Sequence, residues 1–441
     1  MMTAMTLPAP LAEHVEALRQ RPITATEKGF GPLAARHRVS AASLAAARPP
    51  LHEAGLSYPL LTLRESALTH NIDAMAAYCR AAGVGLAPHG KTTMAPQLAA
   101  RQLAAGAWGI TVATIGQLQT YRMFGVSRLL LANEMVDPAG MSWLAGQLNA
   151  DPDLEVLCFV DSTDGVAHLD RQLRQHRVER PLRVLVELGH ARGRTGARTH
   201  GEALAVAAAA KRTPTLDVAG VAGWEGGLGH HADPATLDRV AAYCRALRGL
   251  TDDLHEAGLT GDRPVLTAGG SAFFDVVVAE LTAAGRPETQ PQVILRSGGY
   301  VTHDHGFYAG ISPAVRNTAG RLTLRPALEL WAPVLSRPEP GLALLCAGRR
   351  DVSFDAGLPV PLRVRVQDHA THRGAEAVDA MKVTALNDQH AFLSVPDDSG
   401  LRSGDLVCLG ISHPCTTFDK WRVIPVVDDT EHVTDVIHTF F

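Results

Sequence analysis

The central part of the chain alternates short apolar runs with helix-like segments. Eight runs of strand length lie at residues 83–89, 107–113, 128–134, 155–161, 181–188, 216–225, 263–271 and 292–301. Between them, residues 114–125 open on Thr114 in a capping position, and residues 235–258 repeat apolar positions at helical spacing. This alternation predicts an α/β fold with a parallel sheet and right-handed crossovers. Eight units favour a closed (β/α)8 barrel over the alternative, a doubly wound open sheet.

The pattern changes on both sides of the barrel segment, which we place at residues 56–312. Residues 1–55 are rich in Ala, Pro and Arg, and we interpret them as an N-terminal arm with a short helix that breaks at Pro49 and Pro50. From residue 313 to residue 441 the apolar runs are short, rich in β-branched residues and separated by Gly, Pro and Asp. That texture predicts a C-terminal all-β domain.

Composition and charge narrow the class of protein. Of the 441 residues 46% are hydrophobic and 20% are charged, which supports a sizeable core and argues against disorder. The net charge of −4 argues against nucleic-acid binding. No apolar run has the roughly 18 residues of a membrane helix, and the N-terminus lacks a basic-then-apolar signal pattern. We therefore expect a cytoplasmic protein with a small-molecule partner and no disulfide framework, since its six cysteines form no CxxC pair.

A lysine follows the first apolar run, in the stretch LAPHGKTTM at residues 86–94. Active sites of such barrels lie at the carboxyl ends of the strands, so Lys91 and the nearby His89 are expected at the mouth of the barrel. A partly desolvated lysine amine can form a Schiff base with a carbonyl compound. The alternative is an ordinary lysine of a surface loop.

Two glycine pairs follow the seventh and eighth runs, in TAGGS (267–271) and RSGGY (296–300). Their backbone amides can cradle an anion, and barrels often bind phosphate in these two loops. The candidate residues of this cup are Gly269, Gly270, Ser271, Gly298 and Gly299. We expect Ser271 to open the following helix and to add a hydroxyl to the cup. A lysine facing a phosphate cup indicates pyridoxal phosphate.

Three further signals come from other loops. Arg194, in a glycine-rich loop, could reach a cofactor oxygen or a substrate carboxylate, and Trp224 could pack on the cofactor. His413 and Cys415 are two residues apart, so an extended segment would place both on one face, where imidazole and thiolate suit zinc. His390 is a possible further ligand.

The motifs APHGKT, LANE, GRTG, GGS, RSGGY followed by THD, and SHPCTTFDKW occur together in this chain. With them the sequence resembles the fold-type III pyridoxal-phosphate enzymes, and among these the D-serine dehydratase / D-threonine aldolase family, which includes bacterial amino acid deaminases. The resemblance implies an alanine-racemase-like barrel with a β domain, working as a homodimer. It implies that the cofactor and metal are held by Lys91, Arg194, Gly269, Gly270, Ser271, Gly299, Tyr300, His413 and Cys415.

The resemblance also implies a reaction. A pyridoxal-phosphate- and metal-dependent lyase would remove water from a D-β-hydroxy amino acid such as D-serine or D-threonine and release keto acid and ammonia. Lys91 would be the base at Cα, and a divalent metal, with zinc favoured over manganese or magnesium, would act on the β-oxygen. A D-threonine aldolase, an amino-acid racemase, a non-catalytic pyridoxal-phosphate carrier and a cofactor-free Schiff-base aldolase remain open.

Overall fold

The computed structural model describes residues 9–283, 285–316, 322–366, 372–373 and 378–441. The chain begins with an arm whose elements are α1 (Ala9–Gln20), β1 (Pro22–Ile23), α2 (Gly31–Ala34), β2 (Val39–Ser40) and α3 (Ala41–Ala47). Helix α3 starts at a reciprocal capping box between Ser40 and Ser43. Apolar residues of the arm, including Phe30 and Leu44, share a buried cluster with Trp331 of the C-terminal part. The arm therefore packs on the β domain.

A parallel sheet of eight strands forms the centre of the molecule. Its strands are β4 (Gly85–Leu86), β5 (Ile110–Val112), β6 (Arg128–Glu134), β7 (Glu155–Val160), β8 (Leu182–Leu188), β9 (Leu216–Gly223), β10 (Val265–Ala268) and β11 (Gln292–Leu295), preceded in the chain by β3 (Leu60–Arg64). The order is β4-β11-β10-β9-β8-β7-β6-β5. Strands β4 and β5 meet where the Trp108 amide donates to the Leu86 carbonyl (2.6 Å) and the Thr111 amide to the Pro88 carbonyl (3.0 Å). All eight predicted strands and the barrel are confirmed.

Helices cover the outside of the barrel. They are α4 (Glu65–Ala82), α5 (Pro96–Ala104), α6 (Ile115–Met123), α7 (Pro138–Ala150), α8 (Thr163–Gln175), α9 (His200–Lys211), α10 (Pro234–Glu256) and α11 (Phe274–Leu281). Two short helices follow the last barrel strand, α12 (Phe307–Ile311) and α13 (Pro313–Arg316), and the Tyr308 ring of α12 lies against Gly299. Each of the longer helices buries one face on the sheet, as the alternation of apolar and polar positions predicts. Among the described residues, no helix is both long enough and apolar enough to span a bilayer.

The C-terminal part is a mixed sheet. Its elements are β12 (Leu328–Glu339), β13 (Leu342–Leu345), β14 (Val360–Arg365), β15 (His372–Arg373), β16 (Lys382–Leu386), β17 (Ala391–Ser394), β18 (Leu406–Gly410), α14 (Cys415–Phe418), β19 (Val423–Val427) and β20 (Val433–His438). Strand β3 belongs to this sheet, antiparallel to β12 and parallel to β19. The boundary expected at residue 56 assigns β3 to the barrel segment instead. Its sequence LLTLR is almost wholly buried, as a barrel strand would be, so its pattern does not reveal the sheet that it joins.

Candidate active site

Lys91 lies in a single 3₁₀ turn, Gly90–Thr92, directly after β4. The Tyr121 hydroxyl donates to the Gly90 carbonyl (2.9 Å), and a Cβ at position 90 would come within 2.5 Å of the Tyr121 ring. On the other side, a Cβ at Gly298 would lie 2.6 Å from the His89 carbonyl oxygen. Only glycine fits at either position, so the turn is clamped between two buried elements. Lys91 is partly buried there, unlike a freely solvated loop lysine.

A cavity of about 230 Å³ opens at the carboxyl ends of the barrel strands. The predicted residues that line it are His89, Lys91, Arg194, Trp224, Gly269 and Gly270. The structure therefore brings the lysine, the arginine and the first glycine pair to one cavity. Two charged residues that the sequence did not single out, Glu187 and Arg296, line the same space.

The first glycine pair already holds an oxyanion, the chain's own Glu225. The Gly269 amide donates to Glu225 Oε2 (3.1 Å) and the Gly270 amide to Glu225 Oε1 (2.6 Å). Glu225 is fully buried, and Gly269 has a φ of +100°, which favours glycine. These amides are thus an anion-binding cradle, as predicted, but a side-chain carboxylate fills it. A phosphate could use them only if Glu225 moved away.

The second glycine pair and Ser271 form the remaining part of the cup. The amides of Gly298 and Gly299 donate to no acceptor within the described part of the chain. A Cβ at Gly299 would lie 3.3 Å from Ser271 Oγ, so this hydroxyl stands beside the second pair. Ser271 does not open the next helix as expected, because α11 begins at Phe274 without a side-chain cap. Two free amides and a hydroxyl fit a phosphate.

The Tyr300 side chain points away from this cup. Its hydroxyl accepts a hydrogen bond from Gln102 Nε2 (2.8 Å), and its ring is fully buried. It lines a different cavity, between α4 and α5. Only the backbone of Tyr300 is therefore near the second glycine pair, and a phosphate contact through its hydroxyl is not supported.

A buried cation lies at the floor of the cavity. Arg296 donates to Thr267 Oγ1 (2.8 Å) and to the Gly223 carbonyl (2.6 Å) and is 6% exposed. Burial lowers the pKa of His89 well below its usual value, and the charges of Lys91 and Arg296 lower it further. His89 is therefore a neutral imidazole. The signal for Arg296 was a charged residue inside an otherwise apolar strand run, two residues before the glycine pair.

Arg194 and Trp224 form one unit at the mouth of the cavity. The guanidinium carbon of Arg194 stands 3.8 Å from the centroid of the Trp224 ring, which is cation–π contact. The backbone amide of Trp224 donates a hydrogen bond to the Tyr243 hydroxyl (3.0 Å), which fixes the backbone beneath the ring. Both predicted residues thus border the cavity together.

Three carboxyl groups meet at the ends of β6, β7 and β8. Burial, together with the neighbouring charges of Glu187 and Asp161, raises the pKa of Glu134 to about 8. Both carboxyl oxygens of Glu134 and one of Glu187 are buried and make no hydrogen bond to the described residues. Glu134 therefore keeps its proton near neutral pH.

We expect Glu134→Gln to change how stability depends on pH. The carboxyl has a raised pKa in the folded state, so its contribution is fully present below the usual pKa of 4.5 and is lost as pH rises toward 8. The amide cannot ionise, so the variant should melt at a temperature a few degrees above the wild type at pH 8 but not at pH 5. Thermal melts at both pH values test this, with the exposed Glu13→Gln as control. A constant difference across pH would contradict it.

His413 and Cys415 lie at the start of α14, beside the turn that carries Lys91. The Cys415 thiol is 3.4 Å from Thr92 Oγ1. His413 Nδ1 is 2.7 Å from Asp355 Oδ2. The other oxygen of this carboxylate, Oδ1, accepts a hydrogen bond from the Thr416 hydroxyl (2.7 Å). The expected extended segment is wrong, since Cys415 begins a helix, but the helical turn still brings imidazole and thiol together.

The side chains of His413 and Cys415 shift each other's pKa. Burial lowers the pKa of His413, but hydrogen bonding to Cys415 and Asp355 outweighs burial and raises this pKa to about 9. Burial also opposes ionisation of Cys415, yet His413, Thr92 and Lys91 lower the pKa of its thiol. With this pKa His413 is protonated at neutral pH, so binding of a metal would have to release that proton. A deprotonated imidazole and a thiolate together are an N/S donor set of the kind that zinc prefers.

Within the described part of the chain, His413 and Cys415 have no third protein ligand beside them. Among the residues described here, no group of three or more His, Cys, Asp or Glu side chains could hold a metal ion. His390, the possible further ligand, is exposed in the turn between β16 and β17. A metal on His413 and Cys415 would keep positions open for water or substrate.

Asp355 is expected to support the metal site through His413. Carboxylates that hold a ligating imidazole typically change metal affinity by 10–100-fold when removed. We therefore predict that Asp355→Asn weakens metal binding by roughly tenfold or more, measured by competition with a chelator. The exposed Asp388→Asn, in the same domain, is the control. Equal affinities for both variants would contradict this role.

Family models match most of the chain. The "Alanine racemase, N-terminal domain" family matches residues 63–286, and the "Putative serine dehydratase domain" family matches residues 327–427. The first match covers the barrel up to β10, and the second covers the β domain with His413 and Cys415. The residues that line the cavity lie in the first match, apart from Arg296, which lies between the two.

Characterised relatives are similar over most of their length. A D-threonine aldolase from Arthrobacter sp. is 27% identical over 376 residues, which is 84% of this chain and 89% of that protein. A 3-hydroxy-D-aspartate aldolase from Paracoccus denitrificans is 26% identical over 316 residues, 71% of this chain and 77% of that protein.

Solved structures share the fold. D-threonine aldolase from Filomicrobium marinum superimposes with a TM-score of 0.72 at 23% identity, covering 87% of this chain and 95% of that one. A histidine-to-alanine variant of D-threo-3-hydroxyaspartate dehydratase gives 0.71 at 21% identity, covering 90% and 98%. A cysteine-to-alanine variant of a dehydratase of the same name was solved in a metal-free form, with a TM-score of 0.68 at 22% identity and coverage of 87% and 98%.

Proposed function

Because this chain belongs to the fold-type III pyridoxal-phosphate enzymes of the D-serine dehydratase / D-threonine aldolase family, we propose that it is a lyase that dehydrates D-β-hydroxy amino acids to keto acid and ammonia. One observation carries this proposal. The Cys415 thiol reaches Thr92, the neighbour of Lys91, so the metal pair of the β domain borders the amine of the barrel. A racemase needs no such metal.

The residues present fit pyridoxal phosphate. Ser271 and the free amides of Gly298 and Gly299 would hold the phosphate, and Lys91 would form the covalent link. Arg296 offers a buried positive charge at the cavity floor. When bound, the cofactor supplies an electron sink for charge at the substrate Cα.

The chain's own residues then have separate tasks. Lys91 lines the cavity and is the amine placed to take the Cα proton. Arg194 at the mouth can donate two parallel hydrogen bonds to the substrate carboxylate. His413 and Cys415 would hold a divalent metal, which we propose is zinc, and the metal would supply Lewis acidity at the β-oxygen.

Retro-aldol cleavage to glycine and an aldehyde is the second candidate. It is favoured by the names of the relatives above, which are aldolases with 26–27% identity. Dehydration takes a proton from Cα, whereas retro-aldol cleavage takes one from the β-hydroxyl and breaks the Cα–Cβ bond. A metal at the β-oxygen would assist either reaction, so the site geometry fits both. The His-x-Cys spacing at 413 and 415 is our reason for placing dehydration first.

A product assay tests the proposal. D-Serine, D-threonine and D-threo-3-hydroxyaspartate would each be incubated with the purified enzyme, and ammonia, keto acid, glycine and aldehyde would be measured. Keto acid and ammonia in equal amounts support dehydration, whereas glycine with aldehyde shifts the assignment to the aldolase. A mixture of both configurations at Cα, with neither keto acid nor aldehyde, would identify a racemase, and no conversion of any substrate would remove the lyase proposal.

A further inference from the structure

The loop that carries Arg194 is closed at its base. The Gly189 amide donates to the Ala197 carbonyl (2.9 Å), and the Ala197 amide donates to the Glu187 carbonyl (2.9 Å). Residues 189–197 therefore leave β8 and return to its end as a compact loop, of the kind whose ends lie close together.

The side chain of one exposed residue, Arg198, bridges the backbone carbonyls of this loop. Arg198 donates to four consecutive backbone carbonyls, those of Gly193 (3.1 Å), Arg194 (2.5 Å), Thr195 (2.8 Å) and Gly196 (3.0 Å). Four carbonyl oxygens turned toward one point repel one another unless a cation with several donors stands between them. The planar, permanently charged guanidinium meets that requirement, whereas a lysine ammonium does not match its fork.

The anchors of Arg198 lie outside the loop. Its backbone amide donates to Glu202 Oε2 (2.8 Å), within the capping box of Thr199 and Glu202 that starts α9. A second hydrogen bond holds the loop from the barrel side, where Asp161 Oδ2 accepts from the Gly196 amide (3.1 Å). The loop is thus fixed to a helix and to the end of β7, and its tip places the Arg194 guanidinium on Trp224.

We propose that Arg198 is a positioning residue that gathers the carbonyls of residues 193–196 and so holds Arg194 over Trp224 at the mouth of the cavity. Its effect on turnover rests on the proposed function, in which Arg194 binds the substrate carboxylate. Because Arg198 does not touch the cavity, it sets substrate affinity and leaves the bond-breaking step to Lys91 and the metal pair.

The experiment compares Arg198→Gln with Arg192→Gln in the full-length, cofactor-loaded protein. Arg192 is exposed in the same loop and makes no hydrogen bond within the described ranges. Its variant therefore carries the same charge change but keeps the hydrogen bonds of Arg198 to the loop carbonyls. Hydrogen–deuterium exchange of residues 190–197 should become about tenfold faster in R198Q only. KM for the converted D-amino acid should rise roughly tenfold in R198Q, with kcat changed much less.

A second variant keeps the proposal testable if R198Q folds poorly. Arg198→Ala leaves space for a free guanidinium ion, so millimolar guanidinium chloride should restore slow exchange and a low KM, whereas sodium chloride of equal ionic strength should not. Equal exchange in R198Q and R192Q would overturn the proposal, and so would faster exchange with an unchanged KM. If the wild-type protein converts no substrate, the lyase proposal fails, and the exchange comparison still decides whether Arg198 holds the loop.

Discussion

Lys91→Ala is expected to abolish lyase activity, lowering kcat/KM by roughly 10³-fold or more, because one change removes both the covalent link to the cofactor and the base at Cα. The 3₁₀ turn around position 91 is clamped by Tyr121 and Gly298, so the fold should survive the loss of the side chain. Activity would be measured with the D-amino acid that the wild type converts. Borohydride reduction followed by peptide mass mapping would show whether the cofactor becomes attached to Lys91.

Lys211→Ala is the matched control for this prediction. Lys211 is an exposed lysine at the end of α9, far from the loops that line the cavity, so its loss should leave both activity and attachment unchanged. A reduced cofactor found on a lysine other than Lys91 would contradict the assignment. Full activity of Lys91→Ala would remove Lys91 from the reaction altogether.

Local patterns were sufficient to predict the barrel and the place of Lys91. Each barrel strand is apolar on both faces and is bounded by a turn or a helix cap, and these are properties of neighbouring residues. Once the strands are counted, the rule that sites lie at their carboxyl ends places Lys91 and both glycine pairs at one rim. The cavity at that rim contains Lys91, Gly269 and Gly270 together.

Contacts between distant residues could not be predicted in this way. Glu225 is one residue from Trp224 in sequence, but no local pattern reveals that its carboxylate accepts hydrogen bonds from the amides of Gly269 and Gly270. Strand β3 has the pattern of a barrel strand and pairs with β12, more than 260 residues away. Asp355, which lies against His413, stands in a polar loop without any motif. In each case the partner is chosen by tertiary packing.

Replacing either residue of the metal pair, as His413→Ala or Cys415→Ala, is expected to lower lyase activity by about 10²–10³-fold, because the leaving β-hydroxyl then lacks a Lewis acid. Cofactor attachment at Lys91 should persist, since neither side chain lies in the cup formed by Ser271, Gly298 and Gly299. Metal content by mass spectrometry and activity before and after chelation would be measured on each variant. The wild type should lose activity on chelation and regain it with added zinc.

Cys346→Ala separates this effect from the general loss of a thiol. Cys346 is another partly exposed cysteine of the same domain, but burial raises the pKa of its thiol, so it is not a thiolate ligand at neutral pH. The variant should keep metal and activity. If chelated wild-type enzyme still formed keto acid at its original rate, the metal would have no part in the reaction, and the pair would be left as a hydrogen bond between the β domain and the lysine turn. The dehydration would then have to be assigned to Lys91 and the cavity alone, without a Lewis acid at the β-oxygen.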